Sequence, residues 1–277
     1  MDTRHTVDWR GRQIATTVTG DGPPVVLCHG TPFSSQVWEP IVSHLAVGHT
    51  VHRWDMPGYG ASSKHPDHAV DLDSQAAALT ALVKDHWELS HPVMIAHDIG
   101  GAVAVRAHLV HGLDLSSLVL VDAVLLQPWG SPFYALAQQH TEVFQQLPAA
   151  MHRALLLAYL DGAAHRPLGN AERDAIAAAW LGPEGQAAFY RQIAQVRRQH
   201  TDDLASRLDD IRCQTHVIWG VEDTWLPIDN GRLLSAALTV DLIEIPEAGH
   251  LVQHDQPDVL AAHLRSAARL THEPYRT

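Results

Sequence analysis

Asp98, Asp223 and His250 follow one another in that order along the chain. Residues of these types can act together in nucleophilic catalysis. A carboxylate can attack carbon and form an ester with it, and a histidine oriented by a second carboxylate can activate the water that hydrolyses this ester. The chain has 21 histidines, so a histidine counts as a candidate only through its neighbours. The order carboxylate, acid, histidine therefore predicts a hydrolytic site, which the rest of the chain must position.

Asp98 stands where an apolar strand pattern changes into a helical one. The run at 92–96 is apolar, and helical spacing begins at 102. Ala96 and Gly100 are small, as a sharp and crowded strand-to-helix turn requires. Taken alone, Asp98 also fits a helix N-cap, for which aspartate is a favoured residue.

His250 and Asp223 each follow a predicted strand. Gly249 allows a tight turn before His250, which we expect to reach Asp98. Asp223 lies in the loop after the strand that ends at Gly220, where its carboxylate can accept the imidazole proton. Glu222 and Asp122 are rivals for this role, and position within the motif favours Asp223.

Strand and helix patterns alternate over most of the chain, which predicts an α/β fold with a mostly parallel sheet covered by helices on both faces. Ligands bind such sheets at the carboxyl ends of the strands, where all three residues fall. From 127 to 203 strand patterns vanish, and proline-punctuated helical segments predict a helical cap. The expected division is a core at 1–126 and 204–277 with the cap inserted at 127–203. Predicted helices include 71–86, 133–144, 149–160, 170–181, 185–200 and 257–270, and predicted strands include a hairpin at 7–19 and 240–245.

Composition restricts the class of partner. There are 31 acidic against 19 basic residues, a formal net charge of −12, which argues against nucleic acid or an anionic membrane. No apolar run reaches the length of a membrane span, no signal peptide is visible, and the two cysteines fit reduced thiols. We expect a cytoplasmic monomer or homodimer that takes a small apolar substrate and water.

These segments as a set resemble the α/β-hydrolase superfamily, with its eight-stranded, mostly parallel sheet and inserted cap. The similarity rests on residues 29–32 (HGTP), 55–60 (DMPGYG), 97–101 (HDIGG), Asp223 and 249–250. It implies an oxyanion hole made by the backbone N–H groups of Thr31 and Ile99, and it implies no cofactor and no metal. The aspartate at the nucleophile position is similar to that of epoxide hydrolases and hydrolytic dehalogenases.

The resemblance also separates these branches. Haloalkane dehalogenases place Trp after the nucleophile and fluoroacetate dehalogenases place Arg there, whereas this chain has Ile99. Epoxide hydrolases place a Tyr of an aromatic-Tyr-Arg pattern over the nucleophile, and residues 189–191 (FYR) match it. The resemblance thus implies that Tyr190 is the ring-opening acid and that the product is a vicinal diol, although Tyr190 also fits a core aromatic. A second donor could be Tyr134, His140 or Tyr159.

Other functions remain open at this level. The first is a hydrolytic dehalogenase that uses the same three residues, with Trp129 or Trp180 binding halide. The second is a binding or sensor protein that turns over slowly, although such a protein needs no water activation. A conventional esterase would need Ser at position 98. The candidate substrate-binding residues are His29, Trp38, Tyr134, His140, Trp129 and Trp225.

Overall fold

The computed structural model describes residues 2–269, and its framework is a single eight-stranded sheet. The strands follow in the order β1-β2-β4-β3-β5-β6-β7-β8. Pairings β1–β2 and β2–β4 are antiparallel and the other five are parallel. The strand bounds are β1 Thr3–Trp9, β2 Arg12–Thr19, β3 Pro24–Cys28, β4 Thr50–Trp54, β5 Val93–His97, β6 Ser117–Val121, β7 Gln214–Gly220 and β8 Leu242–Ile245.

The two faces of the sheet carry different helices. On one face, Val26 and Met94 belong to the same cluster of buried apolar residues as helices α2 (Leu72–Ala81) and α3 (Ile99–Leu109). On the other face, Val25 and Ile95 belong to a second cluster with helices α1 (Glu39–Leu45) and α12 (Pro257–Arg269). Adjacent strand residues point to opposite faces, so strands covered on both faces are apolar without alternation. The helices of the core are α1 Glu39–Leu45, α2 Leu72–Ala81, α3 Ile99–Leu109, α10 Ile228–Leu238, α11 Val252–Asp255 and α12 Pro257–Arg269.

All six α-helices between β6 and β7 lie in the predicted insertion or across its end. They are α4 Pro132–Gln139, α5 Thr141–Gln145, α6 Ala149–Leu160, α7 Asn170–Ala178, α8 Gly182–Gln195 and α9 Gln199–Ala205. Helix α9 spans the predicted boundary at 203/204. We refer to α4–α9 as the cap helices.

Several helix bounds differ from those that the sequence predicts. The segment predicted at 133–144 is two helices, because the backbone at His140 leaves helical geometry, with φ −123° and ψ 38°. Helix α4 begins at a cap in which the Ser131 side chain accepts the Tyr134 N–H. The predicted helix at 71–86 ends in a π-helical turn, Leu82–His86. The last residue of the helix predicted at 257–270 lies outside the described residues.

No helix within residues 2–269 is long and apolar enough to cross a membrane.

Candidate active site

Asp98 lies on the sharp turn between β5 and α3. Its backbone has φ 54° and ψ −129°, an unfavourable region for a side chain larger than glycine. A Cβ added to Gly100 would lie 2.5 Å from the carbonyl oxygen of His29, and one added to Gly30 would lie 2.3 Å from the Asp98 Cβ. Close approach of the backbone therefore requires a small residue at Gly100, and the Asp98 side chain requires one at Gly30. The side chain of Asp98 accepts no cap hydrogen bond of α3, which leaves its carboxylate to other partners.

The carboxylate of Asp98 is held by the backbone N–H groups expected to form an oxyanion hole. Its Oδ2 accepts the Thr31 N–H at 2.7 Å, and the Ile99 N–H also bonds to the carboxylate. Burial raises the pKa of Asp98 to about 6, even though His250 and these two N–H groups favour its ionised form. With Oδ2 occupied, Oδ1 is the oxygen available for attack.

His250 and Asp223 complete the arrangement at the carboxyl edge of the sheet. Nδ1 of His250 lies 2.8 Å from Asp223 Oδ2, and its Nε2 lies 3.8 Å from Asp98 Oδ1. The second oxygen of Asp223 accepts the N–H groups of Trp225 and Leu226, at 2.7 and 2.9 Å. The structure thus brings together the three residues that the sequence singles out, with the imidazole between the two carboxylates.

Neither of the two rival acids bonds to the His250 ring in the described part of the chain. Glu222 is exposed, and its backbone N–H donates to the carbonyl of Ala248. Asp122 is fully buried and accepts the Gly220 N–H. The His250 ring is hydrogen-bonded to Asp223.

The charge state of His250 depends on both carboxylates. Burial lowers the pKa of His250, but Asp223 and Asp98 outweigh this effect, so the pKa lies above its usual value. His97 packs against this ring at a centroid distance of 4.7 Å and bonds through Nε2 to the His250 carbonyl oxygen. Burial holds the pKa of His97 well below its usual value, so His97 is neutral and donates this hydrogen bond.

A cavity of about 30 Å³ lies above Asp98, between the core and the cap. The core side of its lining comprises Thr31, Asp98, Ile99, Val124, Trp225 and Leu226. The cap side comprises Trp129, Gly130, Ser131, Tyr134 and Tyr159.

Two tyrosines of the cap line this cavity. The Tyr134 hydroxyl is buried and has no hydrogen-bond partner among residues 2–269. Tyr159 stacks on Trp225 with a centroid distance of 4.3 Å and bonds to the Ser131 side chain. Burial raises the pKa of both tyrosines, and the charge of Asp98 raises it further. Both hydroxyls therefore stay protonated, and both interact electrostatically with the Asp98 carboxylate.

The structure does not bring Tyr190 to Asp98. Its hydroxyl lies 2.9 Å from Nδ1 of His152, it does not line the cavity, and its ring packs against Phe144 and Phe189. Burial alone raises its pKa to about 12, with no contribution from Asp98. The expectation that Tyr190 faces the nucleophile is wrong in this geometry, because α8 turns it into the interior of the cap. His140 is exposed and is likewise outside the cavity.

Of the other residues predicted to bind substrate, two line the cavity and two are buried in the surrounding structure. Trp129 and Trp225 line the cavity. His29 does not: its Nε2 accepts the Met56 N–H at 3.0 Å and its Nδ1 bonds to the Gly30 carbonyl, which fixes the oxyanion loop. Trp38 is fully buried in the core beside α1 and does not line the cavity.

Both tryptophans proposed for halide binding have their indole N–H occupied. Nε1 of Trp129 donates to Thr201 Oγ1 at 2.9 Å, and Nε1 of Trp180 donates to the Pro32 carbonyl at 2.6 Å. Trp180 also does not line the cavity. These indoles tie the cap together and to the oxyanion loop.

Sequence reasoning did not assign Ser131, Val124 or Leu226 to the site. Val124 and Leu226 belong to loops that follow strand ends, which is the one signal that could have selected them. Ser131 reads in the sequence only as a helix cap.

Comparison with known proteins agrees with this architecture. The sequence model of a family described as "Alpha/beta hydrolase family" matches residues 25–263 of this chain. A solved alpha/beta hydrolase fold protein from Burkholderia ambifaria is 42% identical with a TM-score of 0.90, covering 95% of this chain and 100% of its own. Haloalkane dehalogenase 2 of Mycobacterium tuberculosis is 29% identical, covering 91% of this chain and 90% of its own. A pimeloyl-[acyl-carrier protein] methyl ester esterase of Chromobacterium violaceum is also 29% identical, covering 90% of this chain and 97% of its own.

The chain therefore belongs to the alpha/beta hydrolase family. Its relatives include dehalogenases and esterases, which supports a hydrolase.

Proposed function

We propose that this hydrolase opens epoxides to vicinal diols through an ester formed on Asp98. The observation that carries the proposal is the placement of two protonated cap tyrosines, Tyr134 and Tyr159, in the same cavity as Asp98. An epoxide opens to an alkoxide, which needs a proton donor, and a tyrosine hydroxyl is a suitable one.

In the first step, Oδ1 of Asp98 attacks an epoxide carbon and the ring C–O bond breaks. The new alkoxide takes the proton of the Tyr134 hydroxyl, which has no competing partner among the described residues. Tyr159 supplies the second hydrogen bond to the same oxygen. This assignment transfers the role expected of Tyr190 to a residue that lines the cavity.

In the second step, neutral His250 takes a proton from water and the hydroxide attacks the Asp98 carbonyl carbon. The oxygen that becomes negative is Oδ2, which the Thr31 N–H already holds at 2.7 Å. Such a donor typically lowers the activation barrier by about 3 kcal/mol. The tetrahedral adduct then releases the diol, and the imidazolium gives its proton to the leaving oxygen. Asp98 is left as a carboxylic acid, and its proton returns to the Tyr134 tyrosinate formed in the first step, which restores both groups.

Formation of the ester prepares His250 for this step. The ester removes the negative charge of Asp98, which is one of the charges that raise the pKa of His250. The pKa of His250 therefore falls once the ester is present, and a larger fraction of His250 is neutral when a base is needed.

A hydrolytic dehalogenase is the second candidate, favoured by the likeness to haloalkane dehalogenase 2. Attack by Asp98 on a haloalkane would leave a halide, which needs N–H donors in the cavity. The indole N–H of Trp129 is engaged with Thr201, and Ile99 offers no side-chain donor. These contacts favour the epoxide. A slow binding protein and a serine-type esterase fit less well, because the set of reacting groups is complete and the nucleophile is a carboxylate.

A substrate panel distinguishes the candidates. Styrene oxide, an aliphatic epoxide, a haloalkane and a haloacetate are incubated with the wild type and with Asp98→Asn. We expect diol from the epoxides and little halide release, with both abolished in the variant. Halide release without diol would replace the epoxide proposal by the dehalogenase.

The covalent step has its own test. Under single turnover in heavy-oxygen water, we expect one labelled oxygen in the peptide that contains Asp98, because water attacks the enzyme's own carbonyl carbon. An unlabelled peptide would exclude the ester on Asp98 for either substrate class.

A further inference from the structure

Asp122 is a fully buried carboxyl group that the mechanism leaves unused. It follows β6 and has φ 42°, in the left-handed region that side chains rarely adopt. Its backbone N–H donates to the Ile218 carbonyl at 3.0 Å, and its Oδ1 accepts the Gly220 N–H at 2.9 Å. The side chain is thus fixed between the ends of β6 and β7.

The second oxygen of Asp122 has no N–H or O–H donor among residues 2–269 other than a carboxyl group. Asp122 and Asp223 both bond to Gly220, whose N–H donates to Asp122 Oδ1 and whose carbonyl oxygen accepts the Asp223 N–H at 3.3 Å. The carboxyl group of Asp122 is in contact with that of Asp223. Two carboxylate oxygens cannot bond to each other, so this contact is a hydrogen bond only if one carboxyl carries a proton. Two buried carboxylates in contact do not both ionise, which gives the same result.

The partners of the two groups decide where the proton resides. Asp223 accepts the Trp225 and Leu226 N–H groups and faces the His250 ring. Asp122 has one N–H donor and faces the negative charges of Asp223 and Asp98. Burial first, and then these charges, raise the pKa of Asp122 well above its usual range.

We propose that Asp122 is held as a neutral acid that donates its proton to Asp223, and that it acts as a positioning residue for the Asp223–His250 pair. The hydrogen bond holds the Asp223 carboxylate in place and spreads its negative charge. It thereby weakens the hold of Asp223 on the His250 proton and keeps the imidazole available as a base.

The sign of the effect distinguishes this arrangement from the alternative. Removing a neutral donor leaves more of the negative charge of Asp223 on the oxygen that bonds to His250, which raises the pKa of His250. If Asp122 were ionised, its removal would take away a negative charge and lower the pKa of His250. The titratable groups around this pair are Asp98 from β5, and His97 against the His250 ring.

The test compares Asp122→Leu, which removes the donor, with Asp122→Asn, which keeps an N–H donor. Asp114→Asn, at an exposed acid, controls for loss of one formal charge. Titration of His250 is followed by magnetic resonance of nitrogen-labelled histidine, with the signal assigned through His250→Gln. We expect Asp122→Leu to raise the pKa of His250 by about one unit and Asp122→Asn to move it much less. A fall in that pKa in both variants, or equal shifts, would overturn the proposal.

A second measurement does not depend on the folding of the Leu variant. The infrared difference between wild type and Asp122→Asn at neutral pH should contain the C=O stretch of one protonated carboxyl group in the wild type alone. Absence of that band shows that Asp122 is ionised and rejects the proposal.

The catalytic consequence rests on the proposed role of His250, but the spectroscopic readouts do not. In a single-turnover pH profile, we expect the ester-hydrolysis limb of Asp122→Leu to move to higher pH by the same amount as the titration. A substrate that fails to react leaves the spectroscopic result standing, so failure of the proposed function is distinguishable from failure of this inference.

Discussion

The two walls of the cavity hold their polar groups in opposite ways. On the core wall, in which we include the His250–Asp223 pair beside Asp98, the carboxylates of Asp98 and Asp223 each accept backbone N–H groups, and His250 is bonded to Asp223. On the cap wall, the Tyr134 hydroxyl is buried without a partner within the described part of the chain. A group that is already satisfied is held in place, whereas an unsatisfied buried donor is stabilised when substrate supplies an acceptor. In the proposed mechanism, the core wall therefore fixes the geometry of attack, and the cap wall supplies the proton donor that bonds to the substrate.

Removing the nucleophile from the core wall has the largest expected effect. Asp98→Asn should lower kcat/KM for an epoxide by about 10⁴-fold or more, because no ester forms. Stopped assays with diol quantification measure this. A variant that keeps a tenth of wild-type activity would move the chemistry away from Asp98.

In the proposed mechanism, His250 acts as a base after Asp98 has formed the ester, so loss of His250 should separate the two steps. His250→Gln should slow ester hydrolysis by about 10³-fold while leaving alkylation faster than hydrolysis. The intact variant should then gain the mass of one substrate molecule. A mass unchanged after incubation with substrate, despite residual diol formation, contradicts this order of steps.

The cap wall is probed by paired tyrosine variants. Tyr134→Phe should slow alkylation by about 10²-fold, since it removes the free donor. Tyr190→Phe is the matched control, because its hydroxyl bonds to His152 outside the cavity, and it should change the alkylation rate by less than about threefold. The pre-steady-state rate of ester formation measures the alkylation rate of both variants. Larger damage from Tyr190→Phe would restore the expectation from sequence and remove Tyr134 from the mechanism.

The smallest expected effect is the pH dependence that arises from ionisation of Asp98. Asp98 must be ionised to attack, and burial raises its pKa to about 6. The alkylation rate should therefore be constant above that pH and fall about tenfold per unit below it. Single-turnover alkylation in His250→Gln isolates this limb. That variant also lacks the partner that lowers the pKa of Asp98, so its limb should lie at higher pH than that of wild type.

The core wall could be predicted from sequence because its residues stand at strand ends beside residues that the backbone requires. Asp98 is marked by Ala96 and Gly100, and the Cβ contacts of Gly100 explain why that position is small. The cap wall carries no such mark. Tyr134 and Tyr190 both lie on amphipathic helices and are both buried, and the packing of the cap helices decides which of them lines the cavity with Asp98.

The same physical reason explains why Asp122 reads as a rival acid in the sequence. Its position after β6 places it beside Asp223, but the sequence carries no information about which carboxyl group the imidazole contacts. That depends on the two N–H groups of the Trp225–Leu226 turn, which orient Asp223.

The size of the cavity has a kinetic consequence. A cavity of about 30 Å³ between the core and the cap is narrow for an organic substrate, so we expect the cap helices to shift when a substrate binds. If that shift is slower than the chemical steps, its rate sets a ceiling on kcat that no improvement in the reacting groups can raise.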